Sequence, residues 1–137
     1  SGLAPISEVL NLTACRFSPF TIEMEGTGGF PNIDRPRIIW YGIKNNEYLM
    51  MLQQEVEKGL EKIGFPVESR KFKPHLTIGR LKDSRRAGSL PDVIRKMADR
   101  PGISQEVESF FLMRSQLLPW GAKYTCIEKY ELEKRDT

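Results

Sequence analysis

A single histidine sets the terms for any chemistry available to this 137-residue chain. His75 opens the run His75-Leu76-Thr77-Ile78-Gly79-Arg80. An imidazole titrates near neutral pH and can take or give a proton during attack on phosphorus, a contribution of about 10² to 10⁴ in rate. In an extended strand residues two apart share a face, so His75 and Thr77 project together while Leu76 and Ile78 point into an opposite packing layer. The Thr77 hydroxyl can then donate to a non-bridging phosphate oxygen, and the Arg80 guanidinium can clamp phosphate oxygens as charge develops. Strict alternation puts Arg80 on the opposite face; a bulge at Gly79 is what would turn it toward His75. One imidazole excludes any mechanism needing two within this chain, and three-histidine zinc sites with it. Cys15 and Cys126, far apart and without a CxxC pair, offer no metal site and read as buried free thiols.

Charge concentrates around the same histidine. Arg70 to Arg86 holds seven basic residues, Lys73 among them, against Asp83 alone, a local +6. The remaining 14 basic and 17 acidic residues sum to −3, which leaves the whole chain at +3. A cationic segment inside an otherwise acidic chain suits a phosphate-bearing ligand, and Lys73 joins Arg80 as a candidate to bind it. The composition, 39% hydrophobic and 28% charged, is that of an ordinary folded domain and excludes collagen-like or disordered classes. No run of eighteen apolar residues is present, and the first residues lack the basic and apolar regions of a signal peptide. These features are read as a cytoplasmic protein with no membrane partner.

The elements that must position His75 follow from periodicity. Ile6, Val9, Leu10 and Leu12 form the apolar stripe of a short helix. Phe20 to Glu25 alternates for a complete strand and then meets Gly26-Thr27-Gly28-Gly29, ahead of the turn-rich Phe30 to Pro36. Arg37 to Ile43 is a β-branched and aromatic buried strand, antiparallel to its predecessor, with Trp40 as core. Leu49, Leu52, Val56, Leu60 and Ile63 mark a helix begun by Asn45 or Asn46 and closed by Gly64, with Met50 and Met51 as core filler beside the stripe. After the His75 strand, a helix around Val93, Ile94, Met97 and Ala98 precedes two long strands, Glu106 to Leu118 and Ala122 to Leu132. The order α-β-β-α-β-α-β-β predicts an α+β arrangement of antiparallel sheets against helices, within one domain.

The motif on that strand changes the reading. His75-Leu76-Thr77-Ile78-Gly79-Arg80, preceded by Phe72-Lys73-Pro74, resembles the second HxTxxR motif of the two-histidine phosphoesterases, specifically the 2′-5′ RNA ligase or RNA 2′,3′-cyclic phosphodiesterase family. Ser18-Pro19-Phe20-Thr21-Ile22, Gly28-Gly29-Phe30-Pro31 with Arg35-Pro36-Arg37-Ile38-Ile39-Trp40, and Leu118 to Tyr124 resemble further stretches of the family, in its order. The resemblance implies a two-lobed α+β fold in which two HxT motifs face each other across a basic cleft. It implies that one histidine activates water against a 2′,3′-cyclic phosphate while the other protonates the leaving 3′ oxygen, giving a 2′-phosphate; with an RNA 5′-hydroxyl the same chemistry, itself reversible, makes a 2′-5′ linkage. No cofactor or metal is called for. By motif position His75 would be the general base, with Thr77 and Arg80 on the phosphate, and the partner would be RNA bearing a 2′,3′-cyclic phosphate or a 2′-5′ linkage.

The first HxT motif has no counterpart in these 137 residues. Three explanations stand open: a chain shortened at its N-terminus and lacking the first strand, the favoured one; a degenerate member that retains phosphate binding; or a second chain supplying the other histidine to an otherwise monomeric protein. The rival to catalysis is a non-catalytic RNA- or phosphate-binding module of the same fold. Phe30 and Trp120, in loops beside glycine and proline, are the aromatic candidates to stack a nucleobase.

Overall fold

The computed structural model describes residues 2–133. Its elements are α1 (Leu3–Cys15), β1 (Phe20–Phe30), β2 (Ile38–Ile43), α2 (Glu47–Lys62), β3 (His75–Arg80), a 3₁₀ turn (Ser84–Arg86), α3 (Leu90–Met97), β4 (Ile103–Val107), β5 (Ser109–Leu118) and β6 (Gly121–Glu131). The strands form a four-stranded sheet in the order β3-β2-β1-β4 and a two-stranded sheet of β5 and β6. The β1–β2, β2–β3 and β5–β6 pairs are antiparallel, so the architecture is α+β with antiparallel sheets and helices. Two compact units result: Ser1–Phe20, Glu47–Arg70 and Glu106–Thr137 make the first, Thr21–Asn46 and Lys71–Gln105 the second.

The first unit is organised by helix stripes and an aromatic anchor. Leu10, Thr13 and Ala14 are the buried residues of α1, and the Thr13 hydroxyl donates back to the Val9 carbonyl at 2.9 Å, so a polar group is buried without an unmet hydrogen bond. Leu52 is the buried residue of α2, and Gly59 lets that helix approach Val9, whose Cγ1 lies 2.5 Å from where a Cβ on Gly59 would stand. Gly64 adopts φ +104°, and the hydrogen bonds Gly64 N–H to Glu61 O and Phe65 N–H to Leu60 O close α2 as a Schellman motif. Tyr130 of β6, 1% exposed, stacks on Phe110 of β5 at 5.3 Å, and its hydroxyl donates to Glu128 Oε2 at 3.0 Å. Burial, first, and then Glu128 push the Tyr130 phenol pKa up.

The second unit is built on backbone closeness. The strand expected to be complete at Glu25 runs on: β1 continues through Gly26 to Phe30 after a register shift between Met24 and Thr27, where Gly26 takes φ +77°. Trp40 of β2 explains the need for glycine. Its Cζ2 lies 2.2 Å from the position of a Cβ on Gly28, so only a residue without a side chain lets the indole lie against β1. The Thr27 hydroxyl donates to the Ile94 carbonyl of α3 at 2.6 Å, and Arg95 of α3 pairs with Asp34 in the loop after β1.

Other expectations are corrected. The strand expected over Glu106 to Leu118 is two, β4 and β5, interrupted at Glu108. Leu76 and Ile78 are 51% and 58% exposed and enter no packing layer; β3 is the edge strand of its sheet, and alternation along it does not bring a cover over either residue. Met51 is 47% exposed and not core filler. Trp40 is half-buried, as is the whole of β2. Both thiols are exposed; Cys15 donates to Glu133 Oε2 at 3.1 Å, a bond that raises its pKa by holding the protonated form.

Candidate functional site

His75 begins β3, where Pro74 ends the preceding loop. Its Nδ1 lies 2.7 Å from the Lys73 carbonyl oxygen. A carbonyl can only accept, so Nδ1 carries the hydrogen, and in the neutral ring the lone pair sits on Nε2. That is the tautomer of a base presenting Nε2 to substrate.

The register of β2 with β3 decides which neighbours join it. Gly42 pairs with His75 and Trp40 with Thr77, but Ile39 pairs with Gly79 and Ile38 with Arg80, leaving Ile78 as an extra residue in β3. Ile38, Trp40 and Gly42 alternate along β2 and share one face, so their partners Arg80, Thr77 and His75 share it too. The bulge thus turns Arg80 to the side of His75 and Thr77, against plain alternation. From β1, Phe30 pairs with Ile38 and Gly28 with Trp40, which adds both to that face.

The aromatic residues of this face form a continuous contact. Trp40 lies over Gly28; the Phe30 ring meets it with centroids 5.4 Å apart and meets the His75 ring at 5.2 Å, nearly perpendicular at 82°. Trp40 Nε1 is buried and, among the described residues, has no hydrogen-bond partner. His75, Thr77 and Arg80 are exposed on this face.

Around it the basic segment is only partly neutralised. Asp83 accepts from Arg85 N–H at 3.0 Å, capping the 3₁₀ turn, and pairs with Arg85 Nε at 3.1 Å and Arg86 Nε at 4.0 Å. Those bonds to Arg85, with a lesser contribution from the charge of Arg37, hold the Asp83 carboxyl below its ordinary pKa. Arg37 was not singled out from sequence. It stands where the chain returns into β2, its carbonyl accepting from Leu81 N–H at 2.8 Å and its N–H donating to Phe30 O at 2.7 Å, which seats it at the same end of the sheet as Arg80. Its place between Pro36 and a β-branched run was the available signal. Lys73 is exposed in the loop before β3. Trp120, 72% exposed in the β5–β6 turn, belongs to the first unit, whereas the other five candidates belong to the second. No group of three or more potential metal ligands occurs among the described residues.

An exposed histidine thus shares one face of a bulged strand with threonine and arginine in an antiparallel α+β fold. The fold recurs in the crystal structure of TT0787 of Thermus thermophilus, with a TM-score of 0.74, 27% identity, and coverage of 98% of this chain and 72% of that one. It recurs also in LigT of E. coli complexed with 3′-AMP, with a TM-score of 0.64, 22% identity, and coverage of 96% and 71%. Residues 3–117 match the 2′-5′ RNA ligase superfamily, and the chain belongs to that family of enzymes. It is similar to the RNA 2′,3′-cyclic phosphodiesterase of Archaeoglobus fulgidus, 38% identical over 129 residues that span 94% of this chain and 70% of the relative. It is similar likewise to the protein of that name from Aeropyrum pernix, 37% identical over 123 residues, 89% of this chain and 69% of the relative.

Proposed function

We propose that this chain acts on RNA ends carrying a 2′,3′-cyclic phosphate, opening the ring to a 2′-phosphate, and that a 5′-hydroxyl attacking in place of water gives a 2′-5′ linkage. The observation that carries the reading is the bulge at Ile78, which gathers His75, Thr77 and Arg80 on one open face. His75 Nε2 takes a proton from water as the water oxygen bonds to phosphorus, and the bond from phosphorus to O3′ breaks. Thr77 donates to a non-bridging oxygen, while Arg80, with Lys73 nearby in sequence, offsets the charge that builds on the phosphoryl group. O3′ needs a proton as it leaves. No second histidine exists in the sequence, so the reading assigns that acid to a group outside these 137 residues. Separately, Trp120 of the first unit is proposed to stack a nucleobase. Cytoplasmic RNA processing is the setting this reading implies.

The single histidine also favours a second reading, a module that binds RNA phosphate without turnover. Hydrolysis of an RNA oligonucleotide ending in a 2′,3′-cyclic phosphate separates the two. His75→Ala is expected to lower the rate by about 10² to 10⁴ while leaving salt-dependent binding in place. Unchanged hydrolysis in that variant rejects the catalytic reading. Loss of binding in Arg80→Ala, with no hydrolysis by the parent chain, favours the module.

A further inference from the structure

We infer that Phe30 is a positioning residue for His75: its ring, braced on Trp40, holds the imidazole in the orientation that keeps Nδ1–H on the Lys73 carbonyl and presents Nε2 outward. The inference rests on the reading of His75 as the acid–base group, and it gives Phe30 a different task from stacking a base. The Nδ1 hydrogen bond by itself pins one atom of the ring, about which the imidazole can still swing. The perpendicular contact with Phe30 at 5.2 Å supplies the second constraint. Phe30 can supply it because it is itself fixed: it ends β1, its carbonyl accepts from Arg37 N–H at 2.7 Å, and its ring meets Trp40 at 5.4 Å. Trp40 in turn is seated against Gly28. A strand residue two positions beyond a glycine therefore acts on a histidine 45 residues later in the chain, through ring contacts alone.

The test uses the fact that His75 is the only histidine, so its imidazole nitrogen signals need no assignment. In ¹⁵N-labelled protein at a pH where the ring is neutral, the long-range proton–nitrogen spectrum of the parent chain is expected to show mainly the Nδ1–H tautomer. Phe30→Ala and Phe30→Leu are expected to lower the ratio of Nδ1–H to Nε2–H by roughly two- to tenfold, the worth of one aromatic pair. Phe30→Tyr should retain the parent ratio. The indole signal of Trp40 in the same samples reports whether the sheet is intact, and Phe30→Leu carries the test if the alanine variant does not fold. An unchanged ratio in Phe30→Leu overturns the inference, and so does an equal loss in Phe30→Tyr, which would assign the effect to packing of β1 and not to the ring. Absent hydrolysis would defeat the proposed activity without touching this ratio, so the two fail separately.

Discussion

Both sheets carry irregularities in their antiparallel pairs, and those of the β2–β3 and β5–β6 pairs do different things. In the four-stranded sheet the extra residue beside His75 is Ile78, and beyond it Arg80 returns to the face of Thr77. In the two-stranded sheet the shift falls between Leu112 and Met113, where Ile127 is the extra residue. There it separates the stacked pair Phe110 and Tyr130 from a stretch in which Met113, Tyr124 and Leu117 are 48%, 54% and 92% exposed. A bulge re-aims whatever side chains follow it. Where the re-aimed residue is an arginine and a histidine and a threonine precede the bulge, the result is a chemical face; where the neighbours are apolar it divides an anchored end from an open one. The units also differ in emphasis: a buried aromatic pair anchors the first, while in the second the buried Ile22, Met24 and Ile94 are joined by a close backbone approach that needs Gly28.

That contrast can be broken most forcefully at Tyr130. Tyr130→Ala removes the buried aromatic anchor of the first unit and is expected to cost about 3–5 kcal/mol, read from the urea midpoint, with the Trp40 indole signal of the second unit as the comparison. A loss below about 1 kcal/mol would show that α1 and α2, not the β6 anchor, carry that unit. Gly28→Ala is the reciprocal change. Adding a Cβ 2.2 Å from the Trp40 ring should cost about 1–3 kcal/mol by overpacking and displace the Trp40 indole resonance. Its counterpart in the first unit, Gly59→Ala, meets only the Val9 Cγ1, which a side-chain rotation can move, and regains roughly 0.8–1 kcal/mol of helix propensity. Equal destabilisation by the two alanines would erase the distinction. A smaller effect, about 1 kcal/mol, is expected from Thr27→Val, which leaves the Ile94 carbonyl without the donor that ties α3 to β1.

The gentlest probe is pH, and the two units should respond at opposite ends of the scale. Asp83 has a lowered pKa, so its contribution is present above the ordinary carboxylate range and is lost as pH falls through the folded value. The amide of Arg85, which donates to it, should report the loss. Tyr130 has a raised pKa, so its contribution is present below the ordinary phenol range and is lost as pH rises through the folded value. Stability of the first unit should therefore decline on the alkaline side while the 3₁₀ turn after β3 loosens on the acid side. An Arg85 amide indifferent to acid would remove Asp83 from the site's electrostatics.

Local pattern made much of this legible. The helix from Glu47 to Lys62 with Gly64 past its end and the alternation of Phe20 to Glu25 each follow from a period or a cap that neighbours in sequence supply. Gly26 to Gly29 misled because glycine reads as the end of a strand, while its other use, letting an indole approach the backbone, depends on Trp40 from the adjacent strand. Leu76 and Ile78 misled because alternation reports which side chains share a face and not whether anything covers it; an edge strand with exposed apolar residues has the same pattern as a central one. The thiols failed for a similar reason, since an apolar stretch around Cys126 says nothing of what lies over β6.

From the sequence by itself come the residue types: one histidine, a threonine two positions on, an arginine three further, and a +6 segment around them. The HxTxxR spacing suffices to point to phosphate chemistry and to a family. Spacing along one strand could not decide whether Arg80 faces His75, because a single inserted residue inverts every face beyond it. The pairing of β3 with β2 decided that, by leaving Ile78 without a partner. Nor could sequence show that Phe30, 45 positions before His75, would meet its ring: contacts between strands are set by register, and register is a property of the folded sheet.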